Sequence, residues 1–213
     1  MRFPSVSRGL VIVATGALFL GCRGRGKADN TLVSDPAAAN KVVWKRLTCE
    51  DVDMSLPAEM KTWDLTRGNA DVIAADIQHS FPDNPELAHG VQKHGTMGGQ
   101  KLLAVNPKLN KVSLTVSAMP GGETLESLSL QTVEAMRHIV KSGSLQYGKV
   151  KVPAGNALVI DADTLGTPLT HTKIYVLLHG GMEYIFNFDC EPLEAPYWGK
   201  VADAAMKKVR FNQ

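Results

Sequence analysis

The chain has 213 residues, of which 44% are apolar and 21% charged, and its formal net charge is +2. That balance supports a buried core and excludes an intrinsically disordered chain. Arg2 and Arg8 sit in an N-terminal stretch without acids; setting them aside leaves 21 basic against 21 acidic residues. A neutral body without a basic stripe argues against a nucleic-acid partner.

Met1 to Arg8 is positively charged and leads into the apolar run Leu10 to Leu20. This is the pattern of an export signal, a charged region followed by an apolar one. The run falls short of the roughly 20 residues a spanning helix needs. It ends in Phe19-Leu20-Gly21-Cys22, which resembles the lipobox of bacterial lipoproteins, although Phe19 stands where Leu is usual. The resemblance implies cleavage before Cys22 and a lipid (palmitate or a similar acyl group) on its thiol. The alternative is a plain secretory signal followed by an incidental cysteine. Each buried methylene contributes roughly 0.8 kcal/mol, so several acyl chains would anchor the protein to a membrane durably. Arg23 in place of Asp implies, by resemblance to sorting in diderm bacteria, the periplasmic side of the outer membrane if the source has one.

Residues 22–40 are polar and Gly/Ala-rich and read as a flexible tether. A single globular domain is expected over 41–213. Val42-Val43-Trp44 and Val52 to Leu56, closed by Pro57, read as short strands. Asn69 to Gln78 reads as a helix capped by Asn69, and Asn84-Pro85-Glu86 opens another that stops at Gly95. Lys101 to Val105 and Val112 to Ala118 read as strands joined by the loop Asn106 to Asn110. Thr124 to Lys141 carries Leu125, Leu128, Val133, Met136, Ile139 and Val140 on one face, the spacing of an amphipathic helix. Strands follow at Ala157–Asp163, Thr172–Leu178 and Glu183–Asp189, the last two joined at Gly180-Gly181. Pro196 opens a final helix to about Lys208, and Val209-Arg210-Phe211 adds a short strand. Hairpins dominate, which predicts an α+β fold: an α/β/α sandwich with a central, mainly antiparallel sheet flanked by helices.

The order of elements resembles that of the superfamily of PsbP, Mog1 and the DcrB-type lipoproteins, over roughly residues 45–213. The resemblance rests on Met54-Ser55-Leu56-Pro57, the turn Val152-Pro153-Ala154-Gly155-Asn156-Ala157, the Gly-Gly hairpin into Tyr184-Ile185-Phe186-Asn187-Phe188, and the last helix running into Val209-Arg210-Phe211. It implies the sandwich fold and a non-enzymatic binding or accessory role, and it leaves the specific function open.

Cys49 and Cys190 remain once Cys22 is lipidated, and outside the cytoplasm two such residues suggest a disulfide; two separate buried thiols are the alternative. His79, His89, His94, His171 and His179 match no metal-ligand spacing, so no metal site is expected and surface or loop positions are. Gly95-Thr96-Met97-Gly98-Gly99 and Gly121-Gly122 lack the features of a phosphate loop and read as turns. Asp161 and Asp163 share one strand face, as a paired-carboxylate site requires, but solvated positions on the outer face explain them as well and are the expected reading. Tyr197 and Trp198, with the apolar Leu130 on the polar side of its helix, mark a candidate interface; core or edge packing is the alternative for the aromatics, Trp44 and Trp63 included.

No cofactor motif is present. The sequence reads as a membrane-anchored envelope lipoprotein with a binding or accessory role, no enzymatic activity and an envelope protein as partner. The alternatives are a carrier of a small hydrophobic or lipid ligand, and an envelope hydrolase.

Overall fold

The computed structural model describes residues 41–95, 99–109, 111–121 and 124–212. The export signal, Cys22, the tether, residues 96–98 and Gly122 lie outside the described residues. In chain order the elements are β1 (Trp44–Cys49), β2 (Val52–Pro57), β3 (Lys61–Asp64), α1 (Ala70–Ser80), α2 (Pro85–Gly95), β4 (Gln100–Val105), β5 (Ser113–Pro120) and α3 (Leu125–Arg137). They continue with β6 (Gln146–Val152), β7 (Gly155–Thr164), β8 (Thr170–His179), β9 (Met182–Cys190), α4 (Ala195–Met206) and β10 (Arg210–Phe211).

One seven-stranded sheet, ordered β3-β4-β5-β9-β8-β7-β6, is antiparallel throughout. Its middle strands bury consecutive residues, Leu158-Val159-Ile160 and Tyr175-Val176-Leu177, because both faces are covered. On one face, Val159, Tyr175, Leu177 and Phe186 pack against Val52, Met54 and Leu56 of β2 and Ala202, Ala205 and Met206 of α4. On the other, Ile160, Ile174 and Val176 lie under Val133 and Met136 of α3. Further along that face, Leu103 and Val105 join Ile77 of α1, Phe81 just after it and Val91 of α2. The α+β sandwich holds, with one outer layer shared between α4 and a small sheet ordered β1-β2-β10.

Local signals explain most boundaries. The Asn69 side chain accepts the Asp71 N–H at 2.7 Å, and Thr124 Oγ1 accepts the Ser127 N–H at 3.3 Å, two N-caps in the expected places. The helix expected to reach Lys141 stops at Arg137 because the sheet takes its next backbone groups. Lys141 N–H donates to Asp163 O, Leu165 N–H donates to Ile139 O, and Val140 bridges to Thr164. The first strand starts at Trp44 instead of Val42, in the register Trp44↔Pro57 to Cys49↔Val52.

The disulfide is corrected: Cys49 and Cys190 are separate, buried, free thiols. The Cys49 thiol donates to Lys101 O at 3.0 Å, at the start of β4. Cys190 lies just past Asp189, which pairs with Ser113 and so with Val105 at the far end of β4. Lys101 to Val105 spans about 14 Å at roughly 3.4 Å per residue, whereas a bridge needs Cα atoms within about 7 Å.

Candidate functional site

Strand register assembles a charged cluster on the α4 face. Asp163, His171 and Cys190 form one row across β7, β8 and β9; Asp161, Lys173 and Phe188 form the next. These positions alternate with the outward residues of each strand and share the face of Tyr175 and Phe186. His171 Nδ1 is 3.0 Å from Asp163 Oδ1, and its Nε2 is 3.2 Å from Asp161 Oδ1. Lys173 Nζ lies 2.8 Å from Asp203 Oδ1 of α4 and 3.7 Å from Asp161 Oδ2. The Tyr175 hydroxyl donates to the same Asp203 oxygen. Asp161 and Asp163 are therefore half-buried partners of His171, which corrects their solvated reading and the loop position expected for His171.

The row Cys190-His171-Asp163 has the composition of a nucleophile, base and orienting acid. Its geometry is that of an ion-pair lattice. A catalytic imidazole must face the nucleophile's proton, and here the second ring nitrogen faces Asp161. Burial, and after it the negative charges of Asp189, Glu194, Asp161 and Asp163, pushes the Cys190 thiol up to about 12. At neutral pH it is the unreactive thiol, not the thiolate.

Under α4 lies a cavity of about 20 Å³ lined in part by Leu56, Met60, His171, Lys173, Cys190 and Trp198. It has room for roughly one water, whereas ligand pockets measure about 300–1,000 Å³. Trp198 also lines a second recess, an open groove of about 480 Å³ completed by Glu59, Asn106, Lys108, Leu109, Glu194 and Tyr197. Tyr197 and Trp198 meet edge-to-face with centroids 5.3 Å apart, which sets the tryptophan between the groove and the charged cluster. The opposite wall is set by Asn106, whose Oδ1 accepts the N–H groups of Lys108 and Leu109 at 2.9 and 3.1 Å. Its Nδ2 donates to Glu59 Oε1 at 3.0 Å.

Tyr197 and Trp198 are thus brought to one recess. Leu130 is exposed on α3, across the sheet from them, and does not join their interface. Trp63 is buried and donates from Nε1 to Asp76 at 2.6 Å. Trp44 is half-buried at the start of β1 with Lys208 Nζ 5.3 Å from its ring centroid. His179 stacks on Phe211 at 4.3 Å. A Cβ on Gly121 would lie 3.0 Å from Glu183 N, so this glycine serves a close turn. Lys173 and Asp203 were not anticipated. Each is a single charge inside an apolar run, Thr172-Lys173-Ile174-Tyr175-Val176 and Val201-Ala202-Asp203-Ala204-Ala205, and such a charge, when buried, needs a partner.

Among the described residues no helix is long and apolar enough to cross a membrane. No family model matches the chain, and no curated protein matches it. Among solved structures it is similar to cyanobacterial PsbP from Synechocystis, at a TM-score of 0.49 and 9% identity over 90% of this chain and 97% of that one. It is also similar to LpqN of Mycobacterium tuberculosis, described as involved in cell envelope biogenesis, at 0.47 and 9% over 89% and 100%. A Pseudomonas aeruginosa protein of unknown function gives 0.40 and 9% over 77% and 94%. The resemblance is weak and lies at the level of fold.

Proposed function

We propose that the chain is an exported, lipid-anchored protein of the cell envelope that acts by binding, with the groove at Tyr197 and Trp198 as its binding face. In this reading residues 1–21 are removed, Cys22 carries the lipid, residues 22–40 form the tether and residues 41–213 bind. The observation that carries it is the open groove of about 480 Å³ with an aromatic pair at its wall, beside a charged row whose thiol is held protonated. Tyr and Trp are among the side chains enriched where proteins bind. The one-water cavity under α4 speaks against the carrier, and the engagement of both His171 nitrogens by carboxylates against the hydrolase.

A photocrosslinking amino acid placed at Tyr197 in intact cells tests the binding face. A reproducible adduct with one envelope component, lost when Trp198 is replaced by Ala, is expected. Adducts at Leu130 but not at Tyr197 would move the face to the other side of the sheet. Cys22→Ala tests the anchor: the variant should leave the membrane fraction and lack the acyl mass.

A further inference from the structure

Among the described residues, five of the seven large exposed apolar side chains lie at one end of the domain; Val72 of α1 and Leu130 of α3 stand elsewhere. Loops 58–60, 106–109 with 111–112, 165–169 and 191–194 all leave the same end of the seven-stranded sheet, as the pairings Lys61↔Val105, Val105↔Ser113, Ser113↔Asp189, His171↔Cys190 and Thr164↔Thr170 require. On or beside these loops Leu193 is 93% exposed, Leu165 45%, Tyr197 45% and Leu109 40%. Val43, 75% exposed, belongs to the same end, because its carbonyl accepts the Ala58 N–H at 2.7 Å. A single exposed apolar side chain needs no explanation; it is their gathering at one end that marks a surface for interaction.

The chain enters the domain at this end too, through Lys41 and Val42. Cys22 precedes Lys41 by 19 residues, so a lipid on it lies within about 65 Å of this end even at full extension. We propose that the ligand of the binding face is the bilayer itself: Leu193, Leu165, Leu109 and Val43 dip into the acyl boundary, and Tyr197 and Trp198 sit at headgroup level. This rests on the anchor and binding-face readings and names the ligand. Three further features favour a lipid surface over a rigid partner. The apolar tips stand on separate loops, spread over about 14 Å between the β4–β5 and β7–β8 turns at roughly 4.8 Å per strand, an arrangement that a deformable lipid surface can meet tip by tip. Tyr and Trp are the side chains that prefer the membrane–water interface. The groove's charges, Glu59 and Glu194 with Lys108, are mixed in sign, which suits a zwitterionic surface.

The test uses the processed, lipidated protein purified from membranes and reconstituted into phosphatidylcholine vesicles whose acyl chains carry bromine, a quencher of tryptophan fluorescence. Trp198 and Trp44, both at this end, should be quenched. Leu193→Glu combined with Leu165→Glu should lose at least half of that quenching while the protein still floats with the vesicles. Leu130→Glu, the same change on the far side of the sheet, should leave it unchanged. Flotation without quenching, or quenching indifferent to the Leu193 and Leu165 changes, overturns the bilayer-facing end and leaves the anchor standing. Quenching of a protein whose mass shows no acyl group supports this face and overturns the anchor. A protein adduct at Tyr197 in cells, in place of lipid, also overturns it.

Discussion

Asp189 faces away from the charged cluster, toward the α3 side, beside Thr172 and Asn187. The Thr172 hydroxyl and the Asn187 amide donate to it at 2.7 and 2.8 Å. Burial nevertheless raises its carboxyl above the ordinary value of 3.8, outweighing those bonds and the nearby His171. The folded state therefore holds this proton more tightly than the unfolded chain. The associated stability is complete below the unfolded pKa and is lost as pH rises through the folded one. Asp189→Asn removes the buried charge, and once the Asn187 amide turns over, the new Nδ2 can donate to Asn187 Oδ1, which is buried without a hydrogen-bond partner. We expect this variant to be more stable than the parent at pH 7, by about 1 kcal/mol, with the difference shrinking toward pH 3.5. Urea midpoints at the two pH values check it, and a variant less stable at pH 7 contradicts it. The cysteines give a second residue-scale prediction. Burial, with Asp64 and the other nearby carboxylates, holds both thiols up to about 12. In a chain beginning at Lys41, alkylation at pH 8 should be slow in the native protein, and two thiols should react in denaturant without any reductant. Finding none there would restore the disulfide.

At the scale of elements, α4 is fastened to the sheet by Asp203, which meets both Lys173 and Tyr175 of β8. The Lys173 and Asp203 side chains are 5% and 1% exposed. Two charges so deep are tolerated as a pair, and removing Asp203 leaves Lys173 only the more distant Asp161 carboxylate, at 3.7 Å. Asp203→Ala should cost about 3–5 kcal/mol, whereas Lys173→Met together with Asp203→Leu should recover most of it. Denaturant unfolding of the two variants measures both figures. A single-variant cost below about 1 kcal/mol would mean that apolar packing of Val201, Ala202, Ala205 and Met206 holds the helix unaided.

At the scale of the whole molecule, one sheet supplies residues to all three apolar clusters. Its central strands pack on both faces, so no layer can leave without exposing another. Unfolding should be a single transition, with the midpoint of far-ultraviolet circular dichroism coinciding with that of tryptophan fluorescence from Trp63 under α1 and Trp198 at α4. Separate midpoints would show that the layer of α1 and α2 is an independent unit. A chain beginning at Lys41 should unfold at the same midpoint as the full chain carrying Cys22→Ala, which checks that residues 41–213 are one domain.

Much of this architecture is legible in the sequence because its signals are local. Asn69 and Thr124 cap their helices through neighbouring N–H groups, Gly180-Gly181 turns a hairpin with both residues at positive φ, and the α3 stripe follows the helical period. The strands β3 and β6 escape such a reading. One is four residues long, and the other is an edge strand exposing Gln146, Lys149 and Lys151; an edge does not need an apolar alternation. The site was half legible: Tyr197 and Trp198 are adjacent in sequence, but the groove they line needs Glu59 and Asn106 from distant turns. Likewise the separation of Cys49 from Cys190, the seating of His171 between two aspartates and the isolation of Leu130 all depend on strand order and register. The sequence by itself determined most of the elements, the α+β class and the expectation of an exported, lipid-bearing N-terminus, because caps, periods and turns act over a few residues. Only the tertiary structure decided which distant residues meet, since pairing β9 between β5 and β8 is a choice made by burial of the whole sheet and not by any segment alone.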